Sequence, residues 1–337
     1  MKRRRFLASA AAIIVGEAVL GEPVAAATPD LEFVAPSQVG MSDVRRLHTA
    51  TAALRQLDYQ VGGGVSRTAA VAQAQASEVL FGASMTDAVR RELHLAVADL
   101  HSVVGLASFD CLLPDQARHH YLRALEHAKQ ADDPALSAFL LCRMGHIYMF
   151  NGEPDAALKL FHLAELPAAD SRFGAIGFVT ACYQARAYSE MGIADRALGL
   201  TSRSEDNFAQ HADREVPQWL EFFRKWGADT VRGHVCFALS GTEPKHATMA
   251  LNALRLTVNA HKPGFERDNL MDLTSLATLH LRAGDVDHGM RIAASTVTRA
   301  EQVDSKRLNQ WLQVLGTEAR GHGADGKELA IAIGRLA

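Results

Sequence analysis

Apolar residues recur at helical spacing through Leu141, Met144, Ile147 and Tyr148, and again through Ala157, Leu158, Phe161, Leu163 and Ala164. That spacing puts one apolar face on each of two amphipathic helices. Between them Asn151-Gly152 ends the first helix. Pro154 sits in the first turn of the second, where a missing N–H costs nothing. Gly145 and Ala157 are small enough to let two antiparallel helices come close, and Tyr148 and Phe161 fill the space beside them. Residues 141–164 therefore read as a helical hairpin.

The hairpin recurs. Forty residues before Gly145 stands Gly105, followed by Leu113-Pro114-Asp115, Ala117, Tyr121 and Ala124. Forty residues after it stands Ala185, followed by Tyr188, Gly192 and Ala197. A later unit aligns at Ala277, His280, Gly284, Gly289 and Ala293, and a fainter one near His234, Phe237 and Gly241, then Ala247, Ala250 and Ala253. Small, aromatic, turn, small, aromatic, small is the tetratricopeptide pattern. One such hairpin cannot bury its apolar faces alone, so the units must stack. The expected fold is all-α, a TPR-like α-solenoid forming a right-handed superhelix with a concave groove.

The ends of the array differ from its middle. Residues 1–27 look like a signal or linker segment. Lys2 to Arg5 is basic, Phe6 to Leu20 is apolar, and Ala25-Ala26-Ala27 suits cleavage. Arg3-Arg4 before Phe6-Leu7 also fits a twin-arginine export signal, although Glu17 charges the apolar run. That run is too short to span a membrane. Residues 28–41, with Pro29, Pro36 and Gly40, form a linker, and 42–86 hold N-terminal helices, the first capped by Ser42. Gly62-Gly63-Gly64 lacks the strand and Lys-Ser/Thr of a phosphate loop and reads as a flexible corner. The repeats occupy 87–300, interrupted by 206–227, whose Trp219, Phe222 and Phe223 suit a longer hairpin. Residues 301–337 form C-terminal helices.

Composition narrows the function. The 337 residues carry a net charge of −3, with a pI near 6.6, so no basic footprint argues for direct nucleic-acid binding. Cys111, Cys142, Cys182 and Cys236 form no CxxC pair. Cys142 and Cys182 fall on stacked helices, too far apart for a disulfide. None of the fifteen histidines shows zinc spacing. His94 and His101 are seven apart, and His119-His120 diverge on a helix. No nucleophile elbow, Walker motif or dinucleotide fingerprint is present, so no enzyme, cofactor or metal is expected.

What remains is the groove. In a hairpin repeat the first helix of each unit lines the inner face. With Gly105, Gly145, Ala185 and Ala277 equivalent, the inner positions fall three before, one after and four after each. The candidates are Ser102, Leu106 and Phe109; Cys142, His146 and Met149; Cys182, Arg186 and Ser189; Thr274, Thr278 and Leu281; and Asp99, one turn further back. Apolar anchors beside Arg186, His146 and Asp99 suit a peptide or protein segment better than a compact metabolite. Side chains in these positions can equally pack against a neighbouring repeat.

The basic-Ala start, Asp43 to Leu47 running through Leu57-Asp58 into the three glycines, Ala117 to Leu125, and Trp219 to Phe223 together resemble a family. These are the tetratricopeptide regulatory proteins of actinomycetes, the repeat part of Xre-type helix-turn-helix regulators. In that family a DNA-binding domain stands before the basic-Ala segment, where this chain has only Met1. The resemblance implies a cytoplasmic, non-enzymatic module, tied to transcriptional regulation, that binds signalling peptides in its concave face. The alternative is a scaffold exported through residues 1–27 to the cell envelope. Self-association is left open.

Overall fold

The computed structural model describes residues 36–211, 215–260 and 263–336. The signal-like segment 1–27 and most of the linker lie outside them. α1 (Met41–Val61) begins at Met41 with Gly40 as its cap, not Ser42. The Asp43 carboxylate reaches back to accept the Gly40 N–H at 2.9 Å, satisfying the first amide from inside the helix. α2 (Gly63–Glu78) follows after one residue and runs into a 3₁₀ turn, Val79–Gly82. α3 (Asp87–Asp110) is capped by Thr86, whose hydroxyl accepts the Val89 N–H at 3.3 Å.

Antiparallel pairs then succeed one another. α3 packs on α4 (Pro114–Gln130), and α5 (Pro134–Phe150) on α6 (Pro154–Ala169). α7 (Ala175–Glu190) packs on α8 (Ala194–His211), and α9 (Glu221–Ser240) on α10 (Ala247–Asn259). α11 (Glu266–Arg282) packs on α12 (Val286–Ala300), and α13 (Lys306–Ala319) on α14 (Gly323–Gly334). This is a TPR-like α-solenoid. Among the described residues the only β-type pairing is one isolated bridge, Gln38 to Ser84. No described helix is long and apolar enough to cross a membrane.

The forty-residue period is written in the turns. Leu112, Gly152 and Gly192 have φ of 57°, 76° and 71°, and Gly284 has 82°. The next N–H returns to a carbonyl five residues back: Leu113 to Ser108, Glu153 to Tyr148 and Ile193 to Tyr188, each at 2.9 Å. This left-handed closure satisfies the carbonyls a helix end leaves open. Inside the hairpins, small residues meet aromatic ones. A Cβ on Gly105 would lie 2.6 Å from the Tyr121 ring, and one on Gly145 2.2 Å from Phe161. In the fourth unit the close contact belongs to Gly233, 2.8 Å from Leu254, one position before the His234 at which the sequence aligns. The segment that breaks the period returns as core. Trp219, Leu220 and Phe223 are buried, and the rings of Trp219 and Phe223 lie 5.1 and 5.9 Å from that of Phe139.

The two ends of the array meet. Arg267 on α11 is fully buried, and its Nη1 donates to Asp58 of α1 at 2.8 Å and lies 3.2 Å from Asp110 of α3. Asp110 also accepts from Arg307 Nε at 3.2 Å, Ser305 Oγ at 2.8 Å and the Gly63 N–H at 2.8 Å. Two guanidiniums thus face two carboxylates. Burial raises the Asp58 pKa despite Arg267. At Asp110 the two arginines and the Gly63 and Ser305 hydrogen bonds outweigh burial and hold the pKa below its usual value. The three glycines are therefore a docking point and not a flexible corner. A Cβ on Gly62 would lie 2.3 Å from the Asp304 carbonyl, and one on Gly63 2.5 Å from that of Ala107. Gly64 donates to the Asp304 carbonyl at 3.0 Å, and Asp304 donates to that of Val61 at 2.8 Å.

Two tests follow from this packing. Gly145→Ala should cost about 1–3 kcal/mol, because overpacking against a buried ring outweighs the better helix propensity. Gly199→Ala, on α8 with nothing within 4 Å, should instead gain about 0.5–1 kcal/mol. Urea midpoints that move alike for both would refute the close-approach role of Gly145. Arg267→Met should cost about 3–5 kcal/mol, since it leaves two buried carboxylates facing a single guanidinium. Adding Asp58→Asn should recover part of that loss, and an additive pair of effects would mean the ion pair does not exist in solution.

Candidate functional site

Closure of the superhelix leaves an inner cavity of about 590 Å³, counting its mouth. Four arginines and five large aromatic side chains crowd it into a narrow slot. α5 supplies Arg143 and His146, α7 supplies Tyr183 and Arg186, and the returning segment supplies Phe222 and Phe223. α11 supplies Arg267, Asp268, Met271 and Asp272, and α13 supplies Arg307 and Trp311. Tyr59, Leu106 and His234 complete the lining.

Two registers of the repeat build this wall. Leu106, His146 and Arg186 stand forty apart, as do Arg143 and Tyr183, three residues earlier on the same helix faces. Arg267 and Arg307 share the spacing, as do Met271 and Trp311. Residues three or four apart on a helix present one surface, so each pair forms a continuous strip.

Of the thirteen groove candidates, Leu106, His146 and Arg186 line the cavity, while Cys182 and Leu281 are buried in the helix packing. Phe109 lies buried behind it, its ring 5.3 Å from that of His146 and 5.0 Å from the Arg307 guanidinium. Asp99 is buried in an ion pair with Arg55 and borders a separate hollow beside His48 and Trp219. Ser102 and Cys142 are buried in the helix packing, where burial pushes the Cys142 thiol up. Met149 packs against the central core. The Ser189, Thr274 and Thr278 hydroxyls donate to carbonyls of their own helices at 2.8, 2.7 and 2.8 Å. Sequence reasoning passed over Arg143, Tyr183, Arg267 and Arg307. The forty-residue echo of each was the signal available.

The walls differ in charge. Neither Arg186 nor Arg143 forms an ion pair among the described residues, and Arg143 packs against aromatic rings with the Asp268 carboxylate further off. The Arg143 guanidinium lies 5.0 Å from the Phe139 centroid and 5.5 Å from that of Phe223, the geometry of cation–π attraction. On α11, Asp272 pairs with His234 at 2.7 Å. The neighbouring Asp268 has a buried oxygen with no hydrogen-bond partner, 3.9 Å from Arg267 Nη2. Burial, with Arg186, Arg307 and Arg143 nearby, depresses the His146 pKa well below its usual 6.5. The cavity thus offers donors from α5 and α7 and an unfilled acceptor from α11.

No protein-family model matches the chain, and no curated protein matches it. Its structure is similar to the crystal structure of a Rap protein complexed with competence and sporulation factor. The TM-score is 0.53 at 10% identity, over 87% of this chain and 90% of that one. BtubC (BKLC) from P. vanneervenii is matched over 68% of this chain and 89% of its own, at 16% identity and a TM-score of 0.48. The likeness to the Rap protein is one of fold and places this chain among TPR-like helical repeat proteins.

The His146 shift sets an expectation for pH. A depressed folded pKa means the unfolded chain takes the proton first. The stability this group contributes is complete above 6.5 and lost as pH falls below it. In an NMR titration the His146 ring should stay neutral through 6.5, and Arg186→Ala should raise its pKa. An ordinary titration in the native protein would contradict the burial and cation cluster described.

Proposed function

We propose that this chain is a non-enzymatic regulatory module that binds an extended peptide or protein segment in its concave cavity. The carrying observation is that Arg143 and Arg186, which form no ion pair among the described residues, line one cavity with a buried Asp268 oxygen on α11 that has no hydrogen-bond partner. A peptide end presents both a carboxylate and N–H donors, and so complements both walls. A space so crowded by side chains suits one extended segment of chain or its terminus better than a helix. The Rap protein matched in fold was crystallised with competence and sporulation factor, which supports a binding role for this chain. The resemblance to actinomycete regulators extends the proposal to cytoplasmic control of transcription.

Arg186 is the anchor in this reading, because a planar guanidinium can hold a carboxylate through two parallel hydrogen bonds. Pools of short linear peptides with free carboxyl termini, and the same pools amidated, would be tested for retention on the purified chain. Retention should favour the free acids. Arg186→Ala should weaken the retained peptides by about 1.5–3 kcal/mol, the scale of a charged hydrogen bond, with little change in melting temperature. Equal affinity for wild type and variant would remove Arg186 from the site.

A further inference from the structure

A second cluster lies outside the cavity, where α2 meets the first hairpin. Glu78 ends α2, His101 lies on α3 and His127 on α4. Both histidines are buried, and both direct Nε2 at one oxygen, Glu78 Oε1, at 3.0 and 3.2 Å. Behind them stand two more imidazoles. His101 Nδ1 lies 2.9 Å from His120 Nδ1, and His127 Nδ1 lies 2.8 Å from His94 Nδ1. The Phe81 ring packs 4.4 Å from His94 and 5.2 Å from His127. Arg123 Nη2 donates to Glu78 Oε1 at 2.8 Å while its Nη1 holds Glu126 at 2.6 Å.

We propose that Glu78, His101 and His127 form a binding site for one borderline divalent transition-metal ion of the Zn²⁺ class, pinning α2 to the α3–α4 hairpin. The three ligand atoms lie within 4.8 Å of one another. Ligand bonds of about 2.0–2.2 Å around a tetrahedral ion separate neighbouring ligand atoms by roughly 3.3–3.5 Å. The two Nε2–Oε1 distances are therefore within a few tenths of an ångström of what an ion demands. Two imidazoles and one carboxylate are a donor set such ions accept, with a position left open. A surface hollow of about 750 Å³, lined by Gln75, Glu78, His101 and His120, reaches the cluster from solvent.

The outer imidazoles are what set this cluster apart from a plain hydrogen-bonded hub. A metal-bound histidine donates its other N–H to an acceptor, which fixes the ring and its tautomer. Here each ligand histidine already faces such a group. Without the ion, the ligand Nε2–H groups donate to Glu78 and the outer Nδ1–H groups donate inward. With it, each ligand carries its proton on Nδ1 and donates to the outer Nδ1. Both members of each pair exchange tautomers, and no net proton is released. Arg123 occupies the carboxylate in the ion-free state. Being half-exposed and bound to Glu126 as well, it can release Glu78 and keep its second partner.

The test uses the full, untagged chain stripped by chelator, with Co²⁺ alone as the probe. One Co²⁺ per chain should bind with the visible absorption of a four-coordinate site, be displaced by Zn²⁺, and raise the melting temperature. Glu78→Gln keeps the side-chain volume, and with His127→Gln it should abolish that absorption. His120→Gln should weaken binding about 10–100-fold. Arg123→Met should tighten it at least several-fold by removing a competing cation, an effect no purely structural hydrogen-bond hub would show. His288→Gln, beside the exposed end of α11, should change nothing. No bound Co²⁺, or equal binding by wild type, Glu78→Gln and His127→Gln, would overturn the proposal.

Discussion

The buried guanidinium of Arg267 is the point on which the architecture turns. It lies between Asp58 and Asp110, joining α11 to two helices far earlier in the chain, α1 and α3. Desolvating such charges is expensive, so the group adds little net stability over well-packed apolar residues. What it adds is geometry. A buried arginine tolerates no misplaced partner, so the two ends of the array must meet at one register. Arg307 balances the second carboxylate, and three consecutive glycines let the α1–α2 corner approach Asp304 backbone to backbone.

The cavity inherits its character from that closure. A solenoid whose ends stayed apart would present an open groove, with its inner arginines solvated. Here α11 and α13 close against α1 and α3, and the inner helix faces enclose a slot in which charges interact through little water. The cations are held by different means. Arg267 and Arg307 are fixed by the latch, Arg143 by aromatic faces, and Arg186 by no carboxylate among the described residues. Burial, reinforced by Arg186, Arg307 and Arg143, holds the His146 pKa well below its usual value. The aromatic segment that interrupts the repeat period supplies the rings that make Arg143 tolerable there.

Repeat arrays gain stability from intrinsic and nearest-neighbour terms, so their terminal units need special treatment. This chain treats its first unit with polar hubs on two sides. The Asp58–Arg267–Asp110 cluster ties it to the end of the array. The Glu78 cluster ties α2 to the first hairpin through three histidine–carboxylate and arginine–carboxylate contacts. Hydrogen bonds hold the Glu78 pKa far below its usual value, although burial alone would raise it. The core between these hubs is a separate apolar cluster built from α1, α2 and α3.

The fold was legible because local physics repeats. Positive-φ turns at forty-residue intervals, prolines at helix starts and Gly145 against Phe161 are short-range facts, written in residue type and spacing. So was half of the cavity wall, since His146 and Arg186 follow from the inner-face register. The other half depended on details that periodicity does not carry. Whether the position three before or two before each small residue faces inward is a rotation of one residue, and neighbouring helices decide it. Cys142 went into the packing and Arg143 into the cavity. Asp99 found Arg55 on another helix, and the glycine corner became a docking point only when Asp304 arrived. Arg267 with Asp58, and Glu78 with His101 and His127, are contacts between distant segments. Residue types and spacing fixed the helices and their hairpins, because those interactions span a few turns of chain. Only the tertiary structure decided which charges met, because curvature accumulated over six helix pairs brings the ends together.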